Sequence, residues 1–138
     1  RVDPIVEGQP AKVFILGGVN DISHDLTPDS LCTSMEKLIV KIKQGSPRTK
    51  IYLQSLLPID NSFGRYRKMV GKEQVIVETN RLYKEMAERH GVTWIDLYSK
   101  MVDPATGSMR KGLTNDGLHL LGAGYLVWRD AVLPYVKK

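Results

Sequence analysis

The sequence predicts an α/β fold, a three-layer α/β/α sandwich whose parallel sheet carries helices on its faces. Three observations point there. Short apolar, partly β-branched runs at residues 13–16, 51–53 and 92–97 alternate with segments whose apolar residues recur at three- and four-residue spacing. Each run is bounded by glycine, proline or polar turn residues. The resulting order, strand–helix three times over, brings parallel strands side by side with helical crossovers between them. At 138 residues and 42% hydrophobic, the chain suits one domain with its own core.

Residues 1–10 read as a short polar lead-in. Lys12-Val13-Phe14-Ile15-Leu16-Gly17-Gly18 follows, and four consecutive large apolar residues stopped by glycines read as a strand buried on both faces. Val19-Asn20-Asp21-Ile22-Ser23-His24 then lies just past the carboxyl end of that strand, where open α/β sheets bind ligands. Thr27 is expected to cap a helix with Pro28 at its first position; Leu31, Met35, Leu38, Ile39 and Ile42 form its apolar stripe, and Gly45 to Pro47 ends it. The segment from Lys50 to Pro58 is the next strand and its exit. Residues 59–72 form a Gly-containing, basic loop of the kind that lines a pocket, which makes Asn61 and Arg65 candidate substrate contacts. A second long helix is expected over about 73–90, with Val77, Leu82, Met86 and Ala87 on its apolar side and Gly91 at its C-cap. Residues 92–97 are the third strand, residues 101–112 a turn-rich connection, and about 122–135 the last helix, packing Tyr125, Leu126, Trp128, Val132 and Leu133.

Composition narrows the function classes. No apolar run approaches the roughly 18 residues that cross a bilayer. The formal charge of +5 is scattered, and its densest stretch, Arg65-Tyr66-Arg67-Lys68 with Lys72, reads as a solvated loop rather than a nucleic-acid surface. One cysteine, Cys32, permits no disulfide or zinc cluster within the chain, and three histidines without HExxH-type spacing argue against a catalytic metal. No cofactor is expected. The chain opens on Arg-Val-Asp-Pro without an initiator Met, so the lack of a targeting segment assigns no compartment.

The chemistry sits in two clusters. Asn115-Asp116-Gly117-Leu118-His119 puts a carboxylate and an imidazole three residues apart in a Gly-rich loop. An acid that orients a histidine and a histidine that moves a proton are two thirds of a nucleophilic hydrolase. Asp-Gly is also a common turn, so the pair gains weight only from the second cluster. Loops that follow parallel strands share one rim of the sheet, which brings Asn20-Asp21 toward the Asp116–His119 loop. An asparagine amide there can donate to a developing oxyanion, worth about 3 kcal/mol of transition-state stabilisation.

Gly18-Val19-Asn20-Asp21 resembles the Gly-x-Asn-Asp block of the SGNH (GDSL-type) hydrolases. Asp116-Gly117-Leu118-His119 resembles their Asp-x-x-His block, and Ser55-Leu56-Leu57-Pro58 a common strand exit of the same family. The resemblance covers essentially the whole chain. It implies a flavodoxin-like sheet and carboxylic ester hydrolysis by a serine nucleophile, with Asp116 and His119 as the acid–base pair. It also implies Asn20 in the oxyanion hole and Gly18 and Asp21 in support. The nearest likeness is to bacterial acylesterases that remove acetyl or similar groups from carbohydrates, so small-molecule or carbohydrate esters are the implied substrates.

Two blocks of that family are missing. Neither the Gly-Asp-Ser block of the nucleophile nor the glycine block of the second oxyanion donor precedes Lys12. Ser30 opens a helix and Ser55 ends a strand, and both are poor substitutes. The nucleophile is therefore expected outside these residues. In the family's strand order, the missing first strand would lie against the Phe14 strand. Without it, residues 13–16 form an apolar edge, a poor design for a soluble monomer. The expectation is the C-terminal part of a longer enzyme, or a sheet completed by another chain. Two competing classes keep the fold without the chemistry: a catalytically inactive binding module and a flavodoxin-like ligand binder.

Overall fold

The structure, a computed structural model, describes residues 3–18, 22, 24–64 and 67–137. Among these, three parallel strands form a sheet in the order β1 (Lys12–Ile15), β2 (Lys50–Gln54), β3 (Thr93–Ile95). The helices are α1 (Asp3–Gly8), α2 (Pro28–Gly45), α3 (Glu73–Arg89), α4 (Tyr98–Met101) and α5 (Gly122–Val136), with 3-10 turns at Asn61–Phe63 and Arg67–Met69. The α/β expectation holds.

Strand alternation decides which layer each side chain joins. On β2, Ile51 and Leu53 enter the core that α2 and α3 cover, with Leu31, Ile39, Ile42, Ile76 and Met86. Tyr52 points the other way, packing with Ile95, Ala131 and Val132 beneath α5. Its ring stacks on Phe14, its register partner, at 4.6 Å and meets Tyr135 edge-on at 5.6 Å. Lys12 ties the end of α5 to β1 by donating to the carbonyls of Tyr135 and Val136 at 2.8 and 2.9 Å.

Helix α2 begins as its sequence requires. Thr27 Oγ1 accepts from the Ser30 N–H, with Pro28 directly behind it. Several expectations need correction. Residues 3–8 form α1 rather than a polar lead-in; six residues are too few to show a period, and the helix is held by Ile5 against the core and by Gln9 Nε2 donating to Gly45 O. Residues 98–100, to which the sequence assigned no element, form with Met101 the short helix α4. On α3 the buried stripe is Ile76, Thr79, Tyr83, Met86 and Ala87, while Val77 faces outward. Two polar-looking residues sit in that stripe at little cost, because Thr79 Oγ1 donates to Val75 O and Tyr83 Oη to Gly17 O. Strand β1 is half-buried rather than buried on both faces, and Leu16 beyond it is 46% exposed. It pairs only with β2 among the described strands.

Helix α5 shows the same imbalance. Ala131 and Val132 are buried and Trp128 is partly so, yet Tyr125 and Leu126 are more than half exposed, where both were expected to pack.

Candidate active site

Gly18 ends the approach along β1. Its φ of +124° lies in the region that favours glycine, and an added Cβ would stand 2.9 Å from Tyr83 Oη. Asn20, Asp21 and Arg65 fall outside the described residues, and the expectations placed on them stay where the sequence left them. Asn61 Nδ2 donates to Met69 O at 2.9 Å within its own loop.

Asp116 and His119 come together. His119 Nδ1 is 2.8 Å from Asp116 Oδ2. A carboxylate only accepts, so the bond places a proton on Nδ1 and makes Nε2 the basic nitrogen of the neutral ring. The other carboxylate oxygen, Oδ1, accepts from the backbone N–H of Leu118 and of His119, each at 2.8 Å. The Asp116 side chain is 16% exposed and that of His119 is 68% exposed. The acid is fixed from below and the imidazole is presented to solvent.

The loop that carries them is tied at both ends. Thr114 and Leu120 form an antiparallel bridge, and Leu121 N–H donates to Leu113 O at 2.7 Å. A third tie crosses to the loop after β2, where Asp60 N–H donates to Gly117 O at 2.8 Å. Gly117 makes this approach possible: its φ is +92°, and a Cβ there would fall 2.0 Å from Asp60 O. Helix α5 starts directly behind, at Gly122.

His119 opens onto a cleft of about 450 Å³ between the edge of β1 and the start of α5. Its apolar wall includes Phe14, Leu16, Leu118, Tyr125 and Trp128, and Gln54 supplies a polar group at its floor. Gln54 is buried, and its Oε1 accepts from the Trp128 indole N–H at 2.7 Å. Sequence reading passed over Gln54, Trp128 and Thr114 as site residues. The one signal available was parity: Gln54 is two residues from Tyr52 on a strand and must share its face.

The internal nucleophile candidates are occupied elsewhere. Ser55 is fully buried, and its Oγ accepts from the N–H groups of Leu97 and Tyr98 at 3.0 and 2.8 Å. Ser30 Oγ donates to Thr27 O inside the first turn of α2. Burial pushes the Cys32 thiol up, and its Sγ faces Leu82 O at 3.5 Å between α2 and α3. Among the described residues, no serine, threonine or cysteine lines the His119 cleft.

An Asp–His pair on a loop beyond a parallel sheet admits many chemistries. The profile of the GDSL-like Lipase/Acylhydrolase family matches residues 1–127. This chain belongs to that family. Solved structures share its fold. A GDSL-like lipase from Bacteroides thetaiotaomicron superimposes with a TM-score of 0.86 at 22% identity, over 98% of this chain and 66% of its own. The lipase/acylhydrolase from Enterococcus faecalis gives 0.75 at 26% identity, over 96% and 64%. An acetyl-xylooligosaccharide esterase from Geobacillus Stearmophilus gives 0.72 at 17% identity, over 94% and 61%. The chain therefore spans about two thirds of the length of these solved chains. The sequence matches no curated protein significantly.

Proposed function

We propose that the protein is a serine-dependent carboxylic ester hydrolase, an acyl- or acetylesterase acting on small-molecule or carbohydrate esters. The observation that carries this reading is the His119 Nδ1–Asp116 Oδ2 bond in a GDSL-family chain, at a cleft that reaches the sheet edge. His119 takes the proton of the attacking serine, gives it to the leaving alcohol, and then activates the water that hydrolyses the acyl-enzyme. Asp116 holds the tautomer. Asn20 donates its amide to the oxyanion, with Gly18 and Asp21 in support and Asn61 and Arg65 meeting the substrate. The carbohydrate side of the proposal draws on the acetyl-xylooligosaccharide esterase that shares the fold.

The nucleophile is supplied by a segment outside these 138 residues, which adds a strand along the free edge of β1. Two features support this: the half-buried β1, paired on one side only among the described strands, and the uncovered apolar side chains of α5 next to the same cleft. The segment is either covalently continuous with this chain or a partner's.

A second reading follows from the absence of a serine in the described cleft lining: a binding module on the same fold that holds esters without cleaving them. Turnover of p-nitrophenyl acetate by the natural protein, with and without His119→Ala, separates the two. A hydrolase loses about 10²- to 10⁴-fold in kcat on losing its general base. A binding module shows no turnover to lose.

A further inference from the structure

We infer that Thr114 is a positioning residue for the Asp116–His119 pair, setting the plane of the carboxylate through its side-chain hydroxyl; this rests on the hydrolase reading. A threonine hydroxyl has one proton to donate and two lone pairs to accept with. Thr114 Oγ1 accepts from the N–H of Gly117 at 3.0 Å and from the N–H of Asp116 at 3.3 Å. Both lone pairs are then engaged, and the single proton is left for the remaining neighbour, Asp116 Oδ1, at 3.3 Å. The direction of that bond follows from counting donors.

Oδ1 is thus approached by three donors: the Thr114 hydroxyl and the N–H groups of Leu118 and His119. With Oδ1 anchored, the carboxylate has lost its freedom to turn, and Oδ2 is the oxygen that meets His119 Nδ1. Thr114 is 5% exposed and lies on the bridge with Leu120 that closes the loop, so its hydroxyl cannot swing away to water. The buried position also keeps it off the cleft lining, so it acts through Asp116 and makes no contact with substrate. A hydroxyl at this point does what neither backbone group does alone: it reads the carboxylate orientation and the Gly117 turn at once.

The test compares Thr114→Val, which keeps the shape and removes the hydroxyl, with Thr114→Ser, which restores it. In the natural protein, Thr114→Val is expected to lower kcat for p-nitrophenyl acetate about 10- to 100-fold with KM unchanged, because a misplaced base costs turnover rather than binding. Thr114→Ser returns kcat to near the wild-type value. The second readout is the low-field proton resonance of the His119 Nδ1–H in nitrogen-15-labelled protein, which needs no nucleophile. It is expected to broaden or move upfield in Thr114→Val and to return in Thr114→Ser. If Thr114→Val does not fold, Thr114→Ala, which leaves room for a water, takes its place. A resonance unmoved by loss of the hydroxyl overturns the inference, as does a Thr114→Ser variant as impaired as the valine one. A wild-type protein that cleaves no ester removes the hydrolase reading, while the resonance comparison still decides whether Thr114 orients the pair.

Discussion

Gly117 shows how much of the site a single residue controls. The Asp-Gly pair reads as a turn from sequence alone, and it is one, with φ at +92°. What sequence does not show is that the turn lies against the carbonyl of Asp60, 57 residues earlier, so that a Cβ would overlap a backbone atom. Side chains yield to such an overlap cheaply and backbone does not. Gly117→Ala is therefore expected to cost about 2–3 kcal/mol, from a positive φ and a displaced loop together. Urea unfolding checks the stability. The distance between His119 and Asp116 in a structure of the variant checks whether the loop moved as a unit. An unchanged urea midpoint would mean that the Asp60 contact relaxes freely.

Helix α2 was legible almost in full, because its cap, its first-position proline and its three- and four-residue stripe all agree. Helix α3 was legible in extent and misread in phase. Its Thr79 and Tyr83 are apolar enough once their hydroxyls find carbonyls, and that depends on partners. The two helices are also joined outside the core, where Glu36 of α2 meets His90 Nε2 at 2.7 Å and Arg89 at 3.3 Å. The hydrogen bond from His90, and after it that from Arg89, holds the Glu36 carboxyl below the ordinary glutamate value. A carboxyl depressed in the folded state adds stability that is fully present above its unfolded value and disappears as pH falls through the folded one. Both partners are partly exposed, so the contribution is discounted to a few tenths of a kcal/mol. Glu36→Gln is expected to be less stable than wild type by about that amount near pH 7. The two should converge as pH falls through the lowered Glu36 value, as urea midpoints at successively lower pH would reveal.

Across the whole molecule, the described residues bury one face of the sheet well and the other incompletely. Leu16, Tyr125, Leu126 and Val136 are each 46% exposed or more, and β1 offers an unpaired edge beside them. Such a surface associates. The 138-residue chain on its own is expected to sediment above its monomer mass of 15.5 kDa, and the Tyr125→Glu, Leu126→Lys double variant to shift toward monomer. Sedimentation at increasing concentration decides this. A chain that stays monomeric throughout would mean that the edge is protected by its own twist or by residues outside those described.

By itself the sequence determined the alternation of strands and helices, the cap of α2 and the pairing of Asp116 with His119, three residues apart. These are local: period, cap and short-range hydrogen bonds are properties of neighbours in the chain. It also carried the family, since short blocks at set places in that order survive as sequence. Only the tertiary structure decided that Gly117 is closed upon by Asp60, and that Gln54 and Trp128 meet in the His119 cleft. Those contacts depend on which loops a parallel sheet brings to one rim and at what distance, and no pattern along the chain encodes a distance across it.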